Sequence, residues 1–594
     1  MSMRAACIAI LVSVLAATTA AQEDIVMKAM RDEMSRSLQG LKLPDSPKPY
    51  FIAYRVDVVE VNVVGATLGS LLPLRPQKAD MIGVEVRVGD PSLDNTNFLS
   101  MAVASRGPAG FMHGMRTGPL QDDYEGIRRE LWRATDEEYK RAVEDYAAKR
   151  AMLENRKLSE PVPDFSTEQP AHWSEARRTE PQDHDAERLA RELSAVFRKY
   201  PQLYGSSVEI TSRSGYTRYL NSEGSWFARR DAEVKLEIKA ETQSADGMPL
   251  GDSYEIYAVS LAELPPKSEL LARVESLGAR LQQLRTTKPV ERYNGPVLFE
   301  EGAAAEMFAK VFAPALVAVR KPLSDNAQFE MIFERILGQT GGSLMDRIGG
   351  RVLPANMTVV NDPGRTEING VRLPVSMQID DEAVPARKLT LVENGILKAL
   401  LTSRTPVPSM TRSSGSRRGF GPAPTTLLVT AEKGLPAAEL RKELLRLAKQ
   451  RGNDYGIVVR RVGRGKLSES LMEVAMRMSG RETTGSDSFL ETYKVYGDGR
   501  EELVRGAQIE SPAVTNFKEI AAVGDKPVLY SDEFIPKVGG ALFSGFSTAA
   551  GSGLPVVNYS VPSLLFEELT VKPVEGPFPA LPAAVPPLMQ TSSK

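Results

Sequence analysis

The chain has a single cysteine, Cys7, which lies within an apolar N-terminal segment. If that segment is removed, the rest of the protein has neither disulfides nor thiolate ligands. Such a chain must be stabilised by its apolar cores, and 594 residues are enough for more than one core. We therefore expect at least two domains.

The N-terminal segment has the pattern of a signal peptide. Arg4 precedes an apolar run over residues 5–17, and small residues at 18–21 precede Gln22. The run is too short to span a bilayer easily, which favours a cleaved signal over a retained anchor or a chance apolar start. We expect residues 1–21 to be removed, and the mature protein to be soluble and either periplasmic or secreted.

The charge balance gives no indication of a nucleic-acid partner, since 74 basic residues stand against 76 acidic ones. The basic stretch 441–466 alternates with leucines in its first part, which is typical of a solvated helix face. No stretch after the signal is apolar and long enough to cross a membrane. We expect neither nucleic acid nor, after signal cleavage, a membrane as a partner.

The first half of the chain is predicted to combine antiparallel strands with long helices. Apolar and polar residues partly alternate over 51–68, the period of a half-buried strand, and 206–261 contains strands separated by turn residues. A charged helix is predicted over 121–153, where an apolar stripe indicates packing on its own domain more than a partner-binding seam. With a closing helix over 267–284, we assign residues 22–292 to this mixed domain.

The second half, residues 293–573, is predicted to be rich in strands. It opens with a strand and an alanine-rich helix, with carboxylates at the helix start. The dipeptides Asn-Gly at 394–395 and Asp-Gly at 498–499 are hairpin signals. The predicted fold class is α+β with two domains, followed by a proline-rich tail, residues 574–594, that is predicted to be disordered.

The segment 379–404, IDDEAVPARKLTLVENGILKALLTSR, resembles the TldD/PmbA family, whose active members are metallopeptidases acting on peptides and partly unfolded proteins. The family has a similar Asp-Asp-Glu-x-Val-Pro, a strand and Glu-Asn-Gly-Ile-Leu-Lys. SSGSRRG at 413–419 is similar to its Gly-Asn-Gly-Arg-Arg element, and VPSLLFEELTV to its closing strand. The resemblance covers most of 293–571. It implies a TldD/PmbA-like C-terminal domain and a homodimer, or a heterodimer with another homologue.

Active family members place His-Glu-x-x-x-His on the helix after the strand that here reads GPVLF. The resemblance implies two histidine ligands for a divalent metal such as zinc, a glutamate that polarises water, and a distant cysteine ligand. Aligned on the strand, Glu300 and Ala305 stand at the histidine positions and Glu301 at the glutamate. Shifted by one residue, Glu301 and Glu306 stand at the histidine positions and Gly302 at the glutamate. Neither alignment keeps the metal-binding triad.

We therefore expect no metal cofactor, and a vestigial peptidase site at Glu300, Glu301, Ala305 and Glu306. The alternative is that Glu301 and Glu306 hold a hard cation such as calcium or magnesium through oxygen, but solvated acids at a helix start explain Glu300, Glu301 and Glu306 more simply. The first half contains all three histidines: His113, His172 and His184. Gly-Ser-Gly at 551–553 lacks the context of a serine nucleophile.

Arg417 and Arg418 are candidate peptide-binding residues, because a guanidinium offers forked donors to a carboxylate or to backbone carbonyls. A mobile basic loop is the alternative. Two functions remain open, and with them whether the chain is an enzyme. The first is an exported TldD/PmbA homologue without catalytic metal, acting as a peptide-binding or partner-supporting subunit. The second is an active metallopeptidase that hydrolyses peptides or unfolded proteins with atypical or partner-supplied metal ligands.

Overall fold

The structure is a computed structural model of the chain. It describes residues 24–73, 76–100, 114–119, 121–158, 162–176, 185–326, 328, 330–331, 344–419, 421–463, 491–534 and 554–590. The predicted signal peptide, residues 1–21, lies outside the described residues. So do His113, His184 and the Gly-Ser-Gly at 551–553.

The first half is built around one antiparallel sheet. Its long strands are β1 (Pro49–Thr67), β2 (Gln77–Asp90), β3 (Gly205–Asn221), β4 (Trp226–Gln243) and β5 (Pro249–Ala258). Their order across the sheet is β5-β4-β3-β1-β2. Short strands extend it at Ser70–Leu71, Leu93–Asp94, Met115–Thr117 and His172–Ser174. The strands predicted over 51–68 and 206–261 are confirmed.

Helices pack on this sheet and bury its apolar faces. They are α1 (Ile25–Gly40), α2 (Tyr124–Arg156), α3 (Asp185–Ala195) and α4 (Lys267–Leu284). Ile127, Leu131 and Ala142 on α2 lie in one core with residues of α1, β1 and β2. The stripe predicted on this helix therefore packs on its own half, while Trp132 on the same helix is 49% exposed. Helices α3 and α4 form a second core with β3, β4 and β5.

A fully buried lysine on α2 lies next to a contact between the two halves. Lys149 is 0% exposed, and its Nζ donates to Asp164 Oδ2 at 2.6 Å and to the Thr96 carbonyl at 2.8 Å. Asp164 also lies 3.2 Å from a guanidinium nitrogen of Arg320, in the second half. Close by, the short strand Leu323–Ser324 pairs in parallel with Phe98–Leu99. The two halves are therefore joined by backbone pairing as well as by charge.

The second half is built around a mixed sheet. Its strands are β6 (Tyr293–Phe299), β7 (Met357–Asn361), β8 (Leu389–Glu393), β9 (Ile396–Leu397), β10 (Thr426–Ala431), β11 (Tyr455–Arg461), β12 (Glu491–Tyr496), β13 (Glu501–Val504), β14 (Ala507–Ile509), β15 (Ile520–Glu533) and β16 (Val556–Pro573). The order is β9-β8-β7-β10-β16-β6-β11-β12-β13, and β14 and β15 also pair with β16. The pairs β10–β16 and β6–β11 are parallel.

Local sequence signals account for several turns of this half. Asn394 and Gly395 have φ of 49° and 77°, as a tight hairpin requires, and they join β8 to β9. The predicted leucine-faced helix is α6 (Ala437–Gln450), and Gly452 after it has a φ of 76°. The alanine-rich helix is shorter than its composition suggests. Only α5 (Gly302–Met307) is α-helical, followed by a π turn at Phe308–Phe312 and a 3₁₀ turn at Ala313–Leu316.

The proline-rich tail lies against the first half over the part that the structure describes. Val574 and Phe578 pack on the core formed by α3, α4 and β3–β5, and Gln243 Nε2 lies 3.4 Å from the Pro579 carbonyl. A short helix, α7, spans Pro587–Gln590. No helix within the described ranges combines the length and apolarity needed to cross a bilayer. The fold is α+β, as predicted.

Candidate functional site

The helix that follows β6 is packed tightly into the second core. Ala303, Ala304 and Ala305 are each 0% exposed, and Phe308 and Phe312 after them are equally buried. The small side chains allow α5 to lie directly against β16 and β15. Ala305 therefore offers a methyl group to the core where an active family member would place an imidazole.

Glu300, the last residue before the turn into α5, belongs to an ion-pair cluster. Its carboxylate accepts hydrogen bonds from Arg441 Nε at 2.6 Å, Arg441 Nη2 at 2.9 Å and Arg460 Nε at 3.2 Å. Both arginines also contact Glu501. Burial alone would raise the pKa of Glu300, but the hydrogen bonds and charges of the two arginines lower it. Its lone pairs are occupied by the protein itself.

Glu301 is exposed and has a φ of 47°, a region that residues with a side chain rarely adopt. Its backbone N–H donates to Ser563 Oγ at 3.1 Å, which fixes the turn between β6 and α5. The carboxylate lies at the surface, before the first turn of the helix. This agrees with the interpretation of a solvated acid at a helix start for Glu301, whereas Glu300 and Glu306 are buried, so the same interpretation is wrong for them.

Glu306 is buried, and burial raises its pKa to about 7, although the charges of Arg461 and Lys310 and the Val462 N–H oppose the rise. The Val462 N–H donates to Glu306 Oε2 at 2.6 Å. Lys310, one turn further on, donates from Nζ to the Gly463 carbonyl at 2.7 Å. Glu306 thus anchors the chain that leaves β11.

These residues do not fit a catalytic transition metal. Glu300 is bonded to two guanidinium groups, Ala305 has no donor atom, and Glu306 accepts a backbone N–H on another element. Within the described parts of the chain, no group of three or more His, Cys, Asp or Glu residues is placed to hold a metal ion. His172, the one histidine among them, stacks on Trp226, with Nε2 3.1 Å from the Gly224 carbonyl.

The two candidate arginines have different surroundings. They form a short strand, Arg417–Arg418, paired with Gly421–Pro422. Arg417 is 4% exposed, its Nε donates to the Gly419 carbonyl at 3.1 Å, and its Nη1 lies 3.8 Å from Glu382 Oε1. Arg418 is only partly buried, and its Nη1 donates to the Pro424 carbonyl at 2.7 Å. Arg417 therefore shapes the hairpin, whereas Arg418 is the one available to a ligand.

The Asp-Asp-Glu segment holds this hairpin in place. Asp380 accepts the backbone N–H groups of Glu382, Val384 and Arg417 at 2.9 to 3.0 Å. Burial and the charge of Glu382 raise the pKa of Asp380 to about 8. Glu382 Oε2 in turn accepts the backbone N–H of Arg404 at 2.7 Å. The segment that carried the family resemblance is therefore a structural clamp.

Asp381 connects the clamp to the first half. Its carboxylate accepts the Gly419 N–H at 2.6 Å, pairs with Arg229 and lies 3.3 Å from Arg55 Nη1. Burial opposes ionisation of Asp381, but Arg229 and Arg55 lower its pKa. Both arginines lie on strands of the first sheet, β4 and β1. One carboxylate thus fixes the position of the hairpin relative to that sheet.

A cavity of about 110 Å³ lies where the two halves meet beside this hairpin. The charged residues that line it are Arg55, Arg213, Arg229, Asp231, Glu233, Asp381 and Arg418. Its other walls are mainly apolar, with Pro374, Val375, Leu554, Pro555 and Val556. It is a cleft lined by charged and apolar side chains, which suits a small polar group attached to an apolar chain.

The sequence predicted only Arg418 among the charged residues of this cavity. The first-half residues were missed, although β4 carried a signal: Arg229, Asp231 and Glu233 recur at a period of two and so lie on one face of the strand. A half-buried strand face that bears three successive charged side chains indicates that another part of the chain packs against it. That part is the hairpin and its clamp.

Comparison with known proteins agrees with this description. Residues 292–573 match the family model of the PmbA/TldA metallopeptidase C-terminal domain. The second half of this chain belongs to the TldD/PmbA family. The resemblance found in the sequence is confirmed, and so is the strand-rich TldD/PmbA-like character of this half. Comparison with curated proteins gives no match.

Solved structures share the fold over nearly the whole chain of this TldD/PmbA homologue. A candidate modulator of DNA gyrase from Thermotoga maritima has 14% identity and a TM-score of 0.54, over 92% of this chain and 99% of its own. TldE from Thermococcus kodakarensis has 14% identity and a TM-score of 0.52, over 91% and 99%. A candidate modulator of DNA gyrase from Bacteroides thetaiotaomicron has 10% identity and a TM-score of 0.53, over 92% and 99%. At these identities the likeness shows the fold alone.

Proposed function

We propose that this chain is an exported TldD/PmbA homologue that works without a catalytic metal, as a peptide-binding or partner-supporting subunit. The observation that carries the proposal is the state of the motif positions around α5. Glu300 is bonded to Arg441 and Arg460, Ala305 is a core methyl group, and Glu306 accepts the Val462 N–H. A metal at α5 would have to displace these contacts before it gained ligands.

The peptide-binding part of the proposal is supported by the cavity beside the Arg417–Pro422 hairpin. It is lined by charged and apolar side chains from both halves, and none of the α5 residues is among them. In the proposed role, this cleft holds a segment of peptide or unfolded protein. The same chain, paired with itself or with a homologue that keeps His-Glu-x-x-x-His, would present that segment without cutting it.

The proposal is tested by metal content and peptide hydrolysis of the purified mature chain. We expect less than one transition-metal ion per chain after dialysis, and no cleavage of fluorescein-labelled casein above a buffer blank, with or without EDTA. Stoichiometric zinc together with EDTA-sensitive cleavage that Glu301→Ala abolishes would establish the metallopeptidase instead. Glu439→Ala, an exposed acid on α6, is the matched control and should leave any cleavage unchanged.

Export and partnership need separate measurements. N-terminal sequencing of the protein from its native cells should give a mature end near Gln22, and an intact Met1 would contradict export. Light scattering on the purified chain should give the mass of a dimer, or affinity purification from those cells should recover a TldD/PmbA homologue in stoichiometric amount. A monomer recovered alone would exclude the partner-supporting role.

A further inference from the structure

Among the described residues that line the cavity between the halves, cationic side chains outnumber anionic ones by one. Four guanidinium groups line it, from Arg55, Arg213, Arg229 and Arg418, against three carboxylates, from Asp231, Glu233 and Asp381. Burial raises the pKa of Glu233, so this carboxylate is the readiest of the three to lose its charge. The walls therefore favour an occupant that carries a negative charge.

The excess positive charge belongs to one residue. Arg55 pairs with Asp57 at 2.7 Å as well as with Asp381, and Arg229 pairs with Asp381 and lies 3.4 Å from Asp231. Arg213 stands directly across from Glu233 in the register of β3 and β4. Within the described residues, Arg418 has a single side-chain hydrogen bond, to the Pro424 carbonyl, and no carboxylate within 4.0 Å.

A guanidinium in this position has donors to spare. It carries five N–H donors, of which the Pro424 carbonyl takes one. Burial lowers the pKa of Arg418 to about 10, and the charges of Asp381, Asp231 and Glu233 only partly oppose the fall. The hairpin that carries it is held by the Gly419–Asp381 contact, so the side chain is presented from a fixed backbone.

We propose that Arg418 binds the C-terminal carboxylate of a peptide, which enters the cavity by its last residue. The inference rests on the proposed peptide-binding role and names the group that is recognised. A carboxylate takes two parallel hydrogen bonds from a guanidinium fork, which is the strongest pairing open to an unpaired arginine. Val375, Leu554 and Val556 would lie against the last side chain and the backbone before it.

The volume of the cavity sets the size of the occupant. An engineered cavity of about 150 Å³ accommodates a benzene molecule. The 110 Å³ available here is therefore enough for a carboxylate and one small residue, while the cleft is open and leaves the preceding residues of the peptide outside. A chain end with a small apolar last residue such as alanine fits this space.

The test uses fluorescence anisotropy with a fluorescein-labelled pentapeptide that ends in alanine. The mature chain should bind the free acid about 10- to 100-fold more tightly than the same peptide with a C-terminal amide, the range expected for charge-assisted hydrogen bonds. Arg418→Gln should reduce affinity for the free acid to that for the amide. Arg412→Gln, an arginine six positions earlier whose side chain is 66% exposed, is the matched control and should keep the preference.

Each other outcome decides against part of the proposal. Equal affinity for acid and amide would overturn carboxylate recognition while leaving peptide binding intact. An amidated peptide with a glutamate side chain that competes as well as the free acid would move recognition to side-chain carboxylates and overturn the chain-end assignment. Absence of any peptide binding would overturn the peptide-binding part of the proposed function together with this inference, and would leave the partner-supporting part to its own test. The acid–amide comparison is made on the unmodified chain, so it decides even if Arg418→Gln fails to fold.

Discussion

The helix α5 and the Arg417–Pro422 hairpin hold their charged residues in opposite ways. Around α5, Glu300 and Glu306 are satisfied by the protein, and the intervening alanines fill the core. At the hairpin, three acids hold the backbone in place, and one guanidinium is left facing a cavity. A segment can therefore keep its place in the family's fold although its polar atoms are no longer available to bind a ligand. Chemistry depends on which polar atoms are still unsatisfied.

The largest effect is expected at the clamp. Asp381→Asn would leave Arg55 and Arg229 without one of their buried partners and weaken the link between hairpin and first sheet. Removing one member of a buried ion pair costs about 3 to 5 kcal/mol, measurable as a lower urea midpoint by circular dichroism. Glu439→Gln, whose partner Lys442 is exposed, should leave the midpoint unchanged. An equally stable Asp381→Asn would show that the hairpin is held by other contacts.

A pH-dependent effect is expected at Glu306. Its pKa in the folded protein is about 7, above the ordinary 4.5, so the folded state holds the proton more tightly. Stability should therefore be fully present below pH 4.5 and fall as the pH rises to 7, by about 3 kcal/mol. Glu306→Gln removes this fall. The quantity to measure is the difference between wild-type and variant urea midpoints from pH 5 to pH 8.

Asp380 also has a raised pKa, of about 8, so it too lowers the stability as the pH rises. This contribution is the same in the wild type and in Glu306→Gln, and it cancels when one stability curve is subtracted from the other. If the difference between Glu306→Gln and the wild type does not change with pH, the carboxylate does not titrate in this range. Glu306 would then behave like an exposed acid, and its description as a buried carboxylate that the protein satisfies would need revision.

Restoring an imidazole should not restore the metal site. Ala305→His places a larger side chain where the residue is 0% exposed, and overpacking of this kind costs about 1 to 3 kcal/mol. Added zinc should not raise the thermal midpoint, since Glu300 remains bonded to Arg441 and Arg460. Gly302→Ala in the same helix is the control, because an added Cβ meets no atom within 4 Å. If zinc raised the thermal midpoint of Ala305→His and not that of Gly302→Ala, the helix α5 would still be able to bind a metal, contrary to this prediction.

The smallest effect is expected at the edge of the α5 cluster. Arg441→Gln removes the two hydrogen bonds to Glu300, but the arginine is 35% exposed and Arg460 still pairs with the same carboxylate. We expect a loss of about 1 kcal/mol that shrinks as salt is added. Arg446→Gln, on an exposed turn of the same helix, should show no change. An Arg441→Gln effect as large as that of Asp381→Asn would mean that the two regions do not differ in burial.

Much of the fold was predictable from the spacing of apolar residues along the chain and from the residues that favour turns. The alternation over 51–68, the Asn394-Gly395 turn and the leucines of α6 all specify local structure, and the corresponding elements are in place. The length of α5 was not predictable from composition. Alanine favours helix, but tertiary packing of Phe308 and Phe312 opens the chain into a π turn after six residues.

The site was predictable only in part, because charge pairing joins residues far apart in the sequence. The family resemblance, read against the residues after the strand GPVLF, predicted that the metal motif is missing, and it helped to single out Arg418 together with Arg417. Sequence could not separate Arg418 from its neighbour Arg417, since the difference lies in Gly419 and Glu382, which take up one guanidinium and not the other. Nor could it place Arg229 of the first half beside Asp381.

The burial of Lys149 makes this residue a reporter of opening around the buried face of α2. Its amine is enclosed by Asp164 and the Thr96 carbonyl, and it is 0% exposed. An acylating reagent added to the native protein should modify surface lysines such as Lys140 and spare this one. Mass spectrometry of the labelled protein, followed over time, would then give the rate at which the surroundings of Lys149 open to solvent.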